Sequence, residues 1–375
     1  MNEAHRTTQT LSLSQAFVLA RRKHVGGDLD AARRIYERIA AAAPDHGETL
    51  AMLASISYCQ GRDEEARVQV DRAIDLFRAA VQNRPHDPVP RASVVNLLLA
   101  RGRHGEAEAL TDDLVLPLNP IRATAEEFAA RRAAAMERGR PTIVISTVPK
   151  SASESIWNKL AEGLGLAQCY LSIGLFPDCC LIPARVREAA RGGIITKEHI
   201  GPTRHNLDTL RQAGIDRVVV HHRDPRQATL SWAHFVREDV GQRVMAPLWR
   251  KIVPPAHLIA GDFAALLDWC IDHYLPLLIG FLADWRAVAA QTRAPVAVLF
   301  ESFEDFRTEP DAYFRRVLDF YGIAPEEFAA DAEAKVVHLR KGQIDEWRSV
   351  FSADQKRRAW QHIPADMAAD FGWEA

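Results

Sequence analysis

Between residues 141 and 300 the chain alternates short β-branched runs with stretches long enough for a crossover helix. The runs are Ile143-Val144-Ile145, Gly193-Ile194-Ile195-Thr196, Val218-Val219-Val220 and Val296-Ala297-Val298-Leu299. Near-continuous apolar strands indicate a sheet buried on both faces, and helix-length connections make that sheet parallel. Ligands of such sheets gather at the C-terminal ends of the strands. The residues just after each run are therefore the place to look for chemistry.

The first third of the chain has a different period. From about residue 12 to 116 the pattern is helical, and a short motif recurs. Gly27-Asp28-Leu29-Asp30-Ala31-Ala32 returns as Gly61-Arg62-Asp63-Glu64-Glu65-Ala66, then as Gly102-Arg103-His104-Gly105-Glu106-Ala107. The first two copies lie 34 residues apart and the third comes seven residues late, which places about two extra turns in the helix before Pro85. A 34-residue period with small Ala32, aromatic Tyr36 and a closing Pro44 resembles the tetratricopeptide repeat (TPR). Val70 and Thr111 stand where the aromatic is expected in the later copies. An all-α array of about three hairpins is expected, ended by Leu116-Pro117-Leu118-Asn119-Pro120 and a charged bridging helix over Ala123 to Arg138.

Composition narrows the function. Of 375 residues, 47 are Lys or Arg and 49 Asp or Glu, a net charge of −2. That balance argues against nucleic-acid binding, which rests on many uncompensated cations. The five Cys form no metal-ligand spacing, so no metal is expected, and unpaired thiols fit a reducing, cytoplasmic setting. The apolar run Ala16 to Ala20 is too short for a signal core, and Tyr274 to Phe281 falls short of a membrane span. No transmembrane segment is expected.

Three segments carry anion-binding chemistry. After the first run comes Val148-Pro149-Lys150-Ser151-Ala152-Ser153-Glu154-Ser155, where Ile156, Trp157 and Leu160 begin a helical stripe. An anion there meets free backbone N–H groups and the positive end of a helix dipole, with Lys150 and the hydroxyls of Ser151, Ser153 and Ser155 at hand. Ser151-Ala152-Ser153-Glu154 also reads as a capping box, with the Glu154 carboxylate turned back onto the Ser151 N–H. This is not an ATP-binding P-loop, because no Gly lies between Gly139 and Gly163. The second segment is Arg223-Asp224-Pro225-Arg226 with Ser231, a strand end followed by a Pro-opened helix. Arg223 offers a bidentate fork to phosphate, while Asp224 and Arg226 are expected to hold the loop. The third is Arg340-Lys341-Gly342.

Together these resemble the sulfotransferases that use 3′-phosphoadenosine 5′-phosphosulfate (PAPS). The first segment resembles their 5′-phosphosulfate loop, and the second and third their 3′-phosphate segments. Thr196-Lys197-Glu198-His199 resembles the family's Lys-Thr-His stretch. The resemblance covers about residues 141 to 352. It implies an α/β fold, a P-loop-NTPase-like parallel sheet flanked by helices, behind the all-α TPR-like domain. It implies a donor site of Lys150, Ser151, Ala152, Ser153, Glu154, Ser155, Arg223, Ser231, Arg340, Lys341 and Gly342. It also implies Lys150 on the leaving phosphate, His199 as base and Lys197 in support. Where the family has Gly and a hydroxyl, this chain has Ala152 and Glu154, and Trp157 is displaced from the usual Trp position. His221 and His222 are the competing candidates for the base, but alternation sends them to opposite faces of the sheet and both are expected to pack.

Residues 1–120 are thus expected to form the helical repeat domain, 121–140 a linker and 141–375 the catalytic domain. The expected reaction is sulfuryl transfer from PAPS to a hydroxyl or amine of a small-molecule, carbohydrate or peptide acceptor, leaving adenosine 3′,5′-bisphosphate (PAP). The acceptor pocket would draw on Tyr170 to Cys180 and on Trp232 to Trp249, with Trp232, His234, Phe235 and Trp249. The repeats offer a surface for a protein partner or for self-association. Two other readings stay open: a kinase-like phosphotransferase, and a catalytically decayed TPR scaffold.

Overall fold

The computed structural model describes residues 11–238, 251–329 and 342–375. Six helices come first: α1 (Leu13–Val25), α2 (Leu29–Ala42), α3 (Gly47–Cys59), α4 (Asp63–Asn83), α5 (Pro88–Ala100) and α6 (His104–Thr111). They pack as consecutive hairpins around a core that includes Ala32, Tyr36, Leu53, Ile74, Val94 and Leu98. Each hairpin turns on the glycine of the repeated motif: Gly27, Gly61 and Gly102 have φ of 81°, 73° and 72°. A residue with a Cβ takes up that conformation only at a cost. α4 has 21 residues against 14 in α2, which accounts for the displacement of the third motif copy.

The sheet follows. β1 (Asn119–Pro120) and α7 (Ala125–Glu137) precede β2 (Ile143–Thr147), α8 (Ser153–Leu164), β3 (Ala167–Tyr170), β4 (Ser172–Ile173) and β5 (Cys180–Leu181). Then come α9 (Pro183–Ala189), β6 (Ile194–Glu198), α10 (Arg204–Gln212), β7 (Arg217–His222), α11 (Pro225–Glu238) and β8 (Ala297–Ser302). The strand order is β1-β3-β6-β2-β7-β8, parallel except where β1 runs against β3. The four long β-branched runs are β6, β2, β7 and β8. The short β1, β3, β4 and β5 were not foreseen.

Alternation sends successive strand residues to opposite faces. Val144, Ile194, Val218 and Val220 face a core that includes α11 and the helix Leu275–Ala289, with Trp232, Leu278 and Trp285. Ile143, Ile145, Ile195 and Val219 face α8 and the helix Pro310–Tyr321, with Trp157, Leu160 and Tyr313. Both faces are covered, so the structure is a mixed α/β fold on a mostly parallel sheet. The helical run Phe263–Ala289 is long and apolar enough to cross a membrane, and 56% of its most apolar window is buried inside the molecule.

The helical array rests on the β4–β5 hairpin. Ile173 and Cys180 pack against its core, and Asn96 accepts a hydrogen bond from the Gly174 N–H at 3.1 Å. Asp178 binds Lys251 at 2.7 Å and lies 3.3 Å from His104. Burial raises the Cys180 thiol to about 12 and the Cys179 thiol beyond that, so neither is a ready thiolate.

Candidate active site

The loop after β2 has an unusual backbone. Lys150 and Ala152 both lie in the left-handed region, at φ 68° and 62°. Only glycine enters this region freely, and other residues there carry a steric cost of about 1–2 kcal/mol. Replacing Ala152 by Gly, the residue usual in the resembled loop, should therefore stabilise the fold by about 1 kcal/mol in urea unfolding. A destabilised Gly variant would mean that the loop is relaxed.

What holds the strained loop is a set of buried polar contacts. Ser151 is fully buried, and its hydroxyl lies 2.7 Å from the Thr147 hydroxyl and 2.9 Å from the Val148 carbonyl. His221 Nε2 lies 2.8 Å from the Ser151 carbonyl, and its Nδ1 lies 3.1 Å from the Tyr313 hydroxyl. A carbonyl only accepts, so Nε2 carries the proton and Nδ1 accepts from Tyr313. Burial pushes His221 down to about 4, keeping it neutral. The residue expected merely to pack therefore supports the loop from beneath. His222 faces the other way, 4.4 Å from Phe371 between ring centroids.

The expected capping box does not form. The N-cap is Ala152, not Ser151, so Glu154 stands one position too early to reach back. Its carboxylate instead receives Lys197 Nζ at 2.6 Å and Arg122 Nη2 at 3.2 Å. Burial opposes the charge on Glu154, but Lys197 and then Arg122 outweigh it and hold its pKa below the usual value. Burial likewise opposes the charge on Lys197, while Tyr170 and Glu154 hold its pKa above the ordinary lysine value. Trp157 is a core residue, fully buried, with its indole N–H on the Ile195 carbonyl at 3.0 Å.

Arg223 joins the second segment to the other two. Its Nη1 donates to the Lys150 carbonyl at 3.1 Å and its Nη2 to the Gln343 carbonyl at 2.6 Å. The guanidinium lies 3.9 Å over the Phe303 ring. Gly342, next to Gln343, has φ 63°, in the left-handed region that glycine takes most readily. Arg340, Lys341 and Trp249 lie outside the described residues. Asp224 and Arg226 form a bidentate pair at 3.0 and 2.7 Å, and Arg226 stacks 3.9 Å over Trp347. Ser231 is buried on α11. From the same helix Phe235 supports Lys150, whose Nζ lies 4.0 Å over the ring.

His199 stands at the end of β6. Its Nδ1 lies 2.5 Å from the carbonyl of Thr147, at the root of the strained loop. That carbonyl fixes the tautomer: Nδ1 carries the proton and the Nε2 lone pair is the acceptor. Burial, then the nearby Lys197 charge, lower His199 to about 3, so the imidazole is neutral. Phe176 meets the ring edge-on at 6.2 Å between centroids. It comes from the Tyr170 to Cys180 segment expected to border the acceptor. Trp232, expected there too, is instead buried in a stack with Tyr274 at 4.9 Å.

The structure thus brings together Lys150, Ser151, His199, Arg223 and Gly342 at the C-terminal edge of β2, β6 and β7. It sets Glu154 and Lys197 as a pair under α8, beside Trp157 and Tyr170. Sequence reasoning missed Thr147, Arg122, Phe303, Tyr313 and Gln343, which act through contacts between distant segments. Glu304 was also missed. It accepts from the Asp224 N–H at 3.2 Å, and burial raises its carboxyl to about 7. A cleft of about 950 Å³ opens beside it, lined by His222, Arg286, Phe371 and Trp373 among others. Among the described residues, no cluster of three or more His, Cys, Asp or Glu side chains could hold a metal.

No family model matches the sequence, and no curated protein matches it. Among solved structures, a mouse sulfotransferase complexed with PAP is similar at 12% identity and a TM-score of 0.44, over 68% of this chain and 97% of that one. An O-GlcNAc transferase variant from Thermobaculum terrenum is similar at 13% identity and a TM-score of 0.23, over 84% of this chain and 73% of that one.

Proposed function

We propose that the chain is a PAPS-dependent sulfotransferase, in which residues 141–375 transfer a sulfuryl group in line to an acceptor hydroxyl or amine. The observation that carries this reading is the pair of hydrogen bonds from Arg223 to the carbonyls of Lys150 and Gln343. Segments about 70 and 120 residues away from Arg223 converge on one guanidinium, which gathers the segments that a donor with a 5′-phosphosulfate and a 3′-phosphate would meet. The α8 N-terminus and Lys150 would hold the 5′ end. Arg223, Ser231 and the Arg340-Lys341-Gly342 segment would hold the 3′-phosphate.

In the transfer, the acceptor oxygen attacks sulfur as the bond from sulfur to the bridging phosphate oxygen breaks. His199 Nε2 takes the acceptor's proton, and Lys150 with the helix N-terminus balances the charge that collects on the departing PAP. Positioning and fixed dipoles do most of the work. The residues 1–120 array, on its 34-residue period and glycine turns, would serve as a TPR-like platform for a protein partner or for self-association. A reducing cytoplasmic setting would fit five cysteines that form no disulfide, with Cys169, Cys179, Cys180 and Cys270 buried.

Thermal-shift measurements with PAPS, PAP, ATP and GTP separate this reading from a phosphotransferase. PAPS and PAP should each raise Tm, and magnesium-ATP and magnesium-GTP should not. Stabilisation by ATP alone would overturn the proposal.

A further inference from the structure

The donor loop contains a charge that its resemblance does not call for. Where a hydroxyl is usual, Glu154 stands in the first turn of α8, the turn whose free N–H groups would meet the anion. Its partners are specific. Lys197 Nζ sits at 2.6 Å, on a side chain only 8% exposed, and Arg122 Nη2 at 3.2 Å. Arg122 also reaches Asn158 Oδ1 at 3.3 Å, from a backbone held at φ 58°. A buried ammonium needs a counter-charge. Among the described residues, Glu154, the buried Glu198 next to Lys197 on β6 and the Tyr170 phenol act on the Lys197 charge, and of these three only Glu154 stands in the turn that would meet the anion.

We propose that Glu154 is a latch that holds Lys197 away from the donor anion, a positioning residue that sets donor affinity. The inference rests on the donor-loop reading above. With the latch closed, two cations share one carboxylate, and Lys150 alone faces the transferring group from the loop. With the latch removed, the cluster gains one positive charge and Lys197 is free to turn towards the anion. A tightly held PAP would slow turnover, so a carboxylate that limits donor and product affinity has a use.

The test is calorimetric titration of the full chain with PAP, and separately with inorganic pyrophosphate, at low and high salt. The proteins are wild type, Glu154→Gln, Glu154→Asp, Lys197→Met and the Glu154→Gln/Lys197→Met double variant, each first checked for an intact thermal transition. Glu154→Gln should bind PAP about fivefold tighter at low salt, the size of one unit-charge interaction at about 4 Å through water. The gain should shrink as salt is raised and vanish in the Lys197→Met background, the coupling that a purely structural role would not produce. Glu154→Asp, which keeps the charge, should stay near wild type. Unchanged or weaker binding by Glu154→Gln, or a gain that persists without Lys197, would overturn the latch. If PAP binds no variant while pyrophosphate still tightens on Glu154→Gln, the latch stands and the nucleotide reading falls. If neither probe binds any variant, both fall.

Discussion

Replacing Arg223 by Ala should weaken PAP binding about a hundredfold and lower Tm in the same protein. Arg223 is 6% exposed and gives its two Nη groups to the carbonyls of Lys150 and Gln343. Truncation leaves both carbonyls without that donor, each at a cost of about 1–3 kcal/mol where water cannot replace it. It also uncovers the Phe303 ring against which the guanidinium lies. Arg223→Lys separates the two effects. It keeps the charge but loses the planar fork, so it should keep more stability than affinity. Isothermal titration with PAP, beside unfolding curves, measures both. An Arg223→Ala protein that binds PAP within threefold of wild type would assign Arg223 to the fold alone.

His199→Ala should lower kcat about a thousandfold while leaving PAP affinity almost unchanged, as loss of a general base implies. The geometry makes a second demand, on pH. His199 is lowered to about 3, with burial the main cause and Lys197 the next. A base is inactive below its pKa, so kcat/KM, which reports the free enzyme, should show no acid limb from this group down to pH 5. The donor brings negative charge next to the ring and favours the imidazolium. The kcat profile, which reports the loaded enzyme, should therefore fall at a higher pH than the kcat/KM profile. Coincident limbs near 6.5 in both would place the base on a more exposed group.

How much of this was legible in the sequence depended on whether the signal was local. The parallel sheet was legible because a strand covered on both faces must be apolar at every position, and four such runs are visible. The glycine turns were legible because the motif repeats. The short strands β1, β3, β4 and β5 were not, since two to four residues carry no period. In the site, Lys150, His199 and Arg223 stand in recognisable strings directly after strands. The role of Glu154 was misread for a definite reason. Its spacing from Ser151 fits a capping box, but the helix starts one residue later, and two cations from residues 122 and 197 compete for the carboxylate. Strand alternation points His221 to packing, and its contact is with Tyr313, 92 residues away. Contacts of that kind leave no mark in a local pattern.

Transfer itself is the most direct test. Wild-type protein and His199→Ala would each be incubated with sulfur-labelled PAPS and fractionated cell extract, and label appearing in acceptor fractions would be counted together with PAP released. The account expects wild-type protein to move label into at least one fraction with one PAP released per sulfate transferred, and His199→Ala to move almost none. PAPS bound tightly by the wild type, with no label transferred to any fraction, would contradict it and leave a nucleotide-binding scaffold in its place.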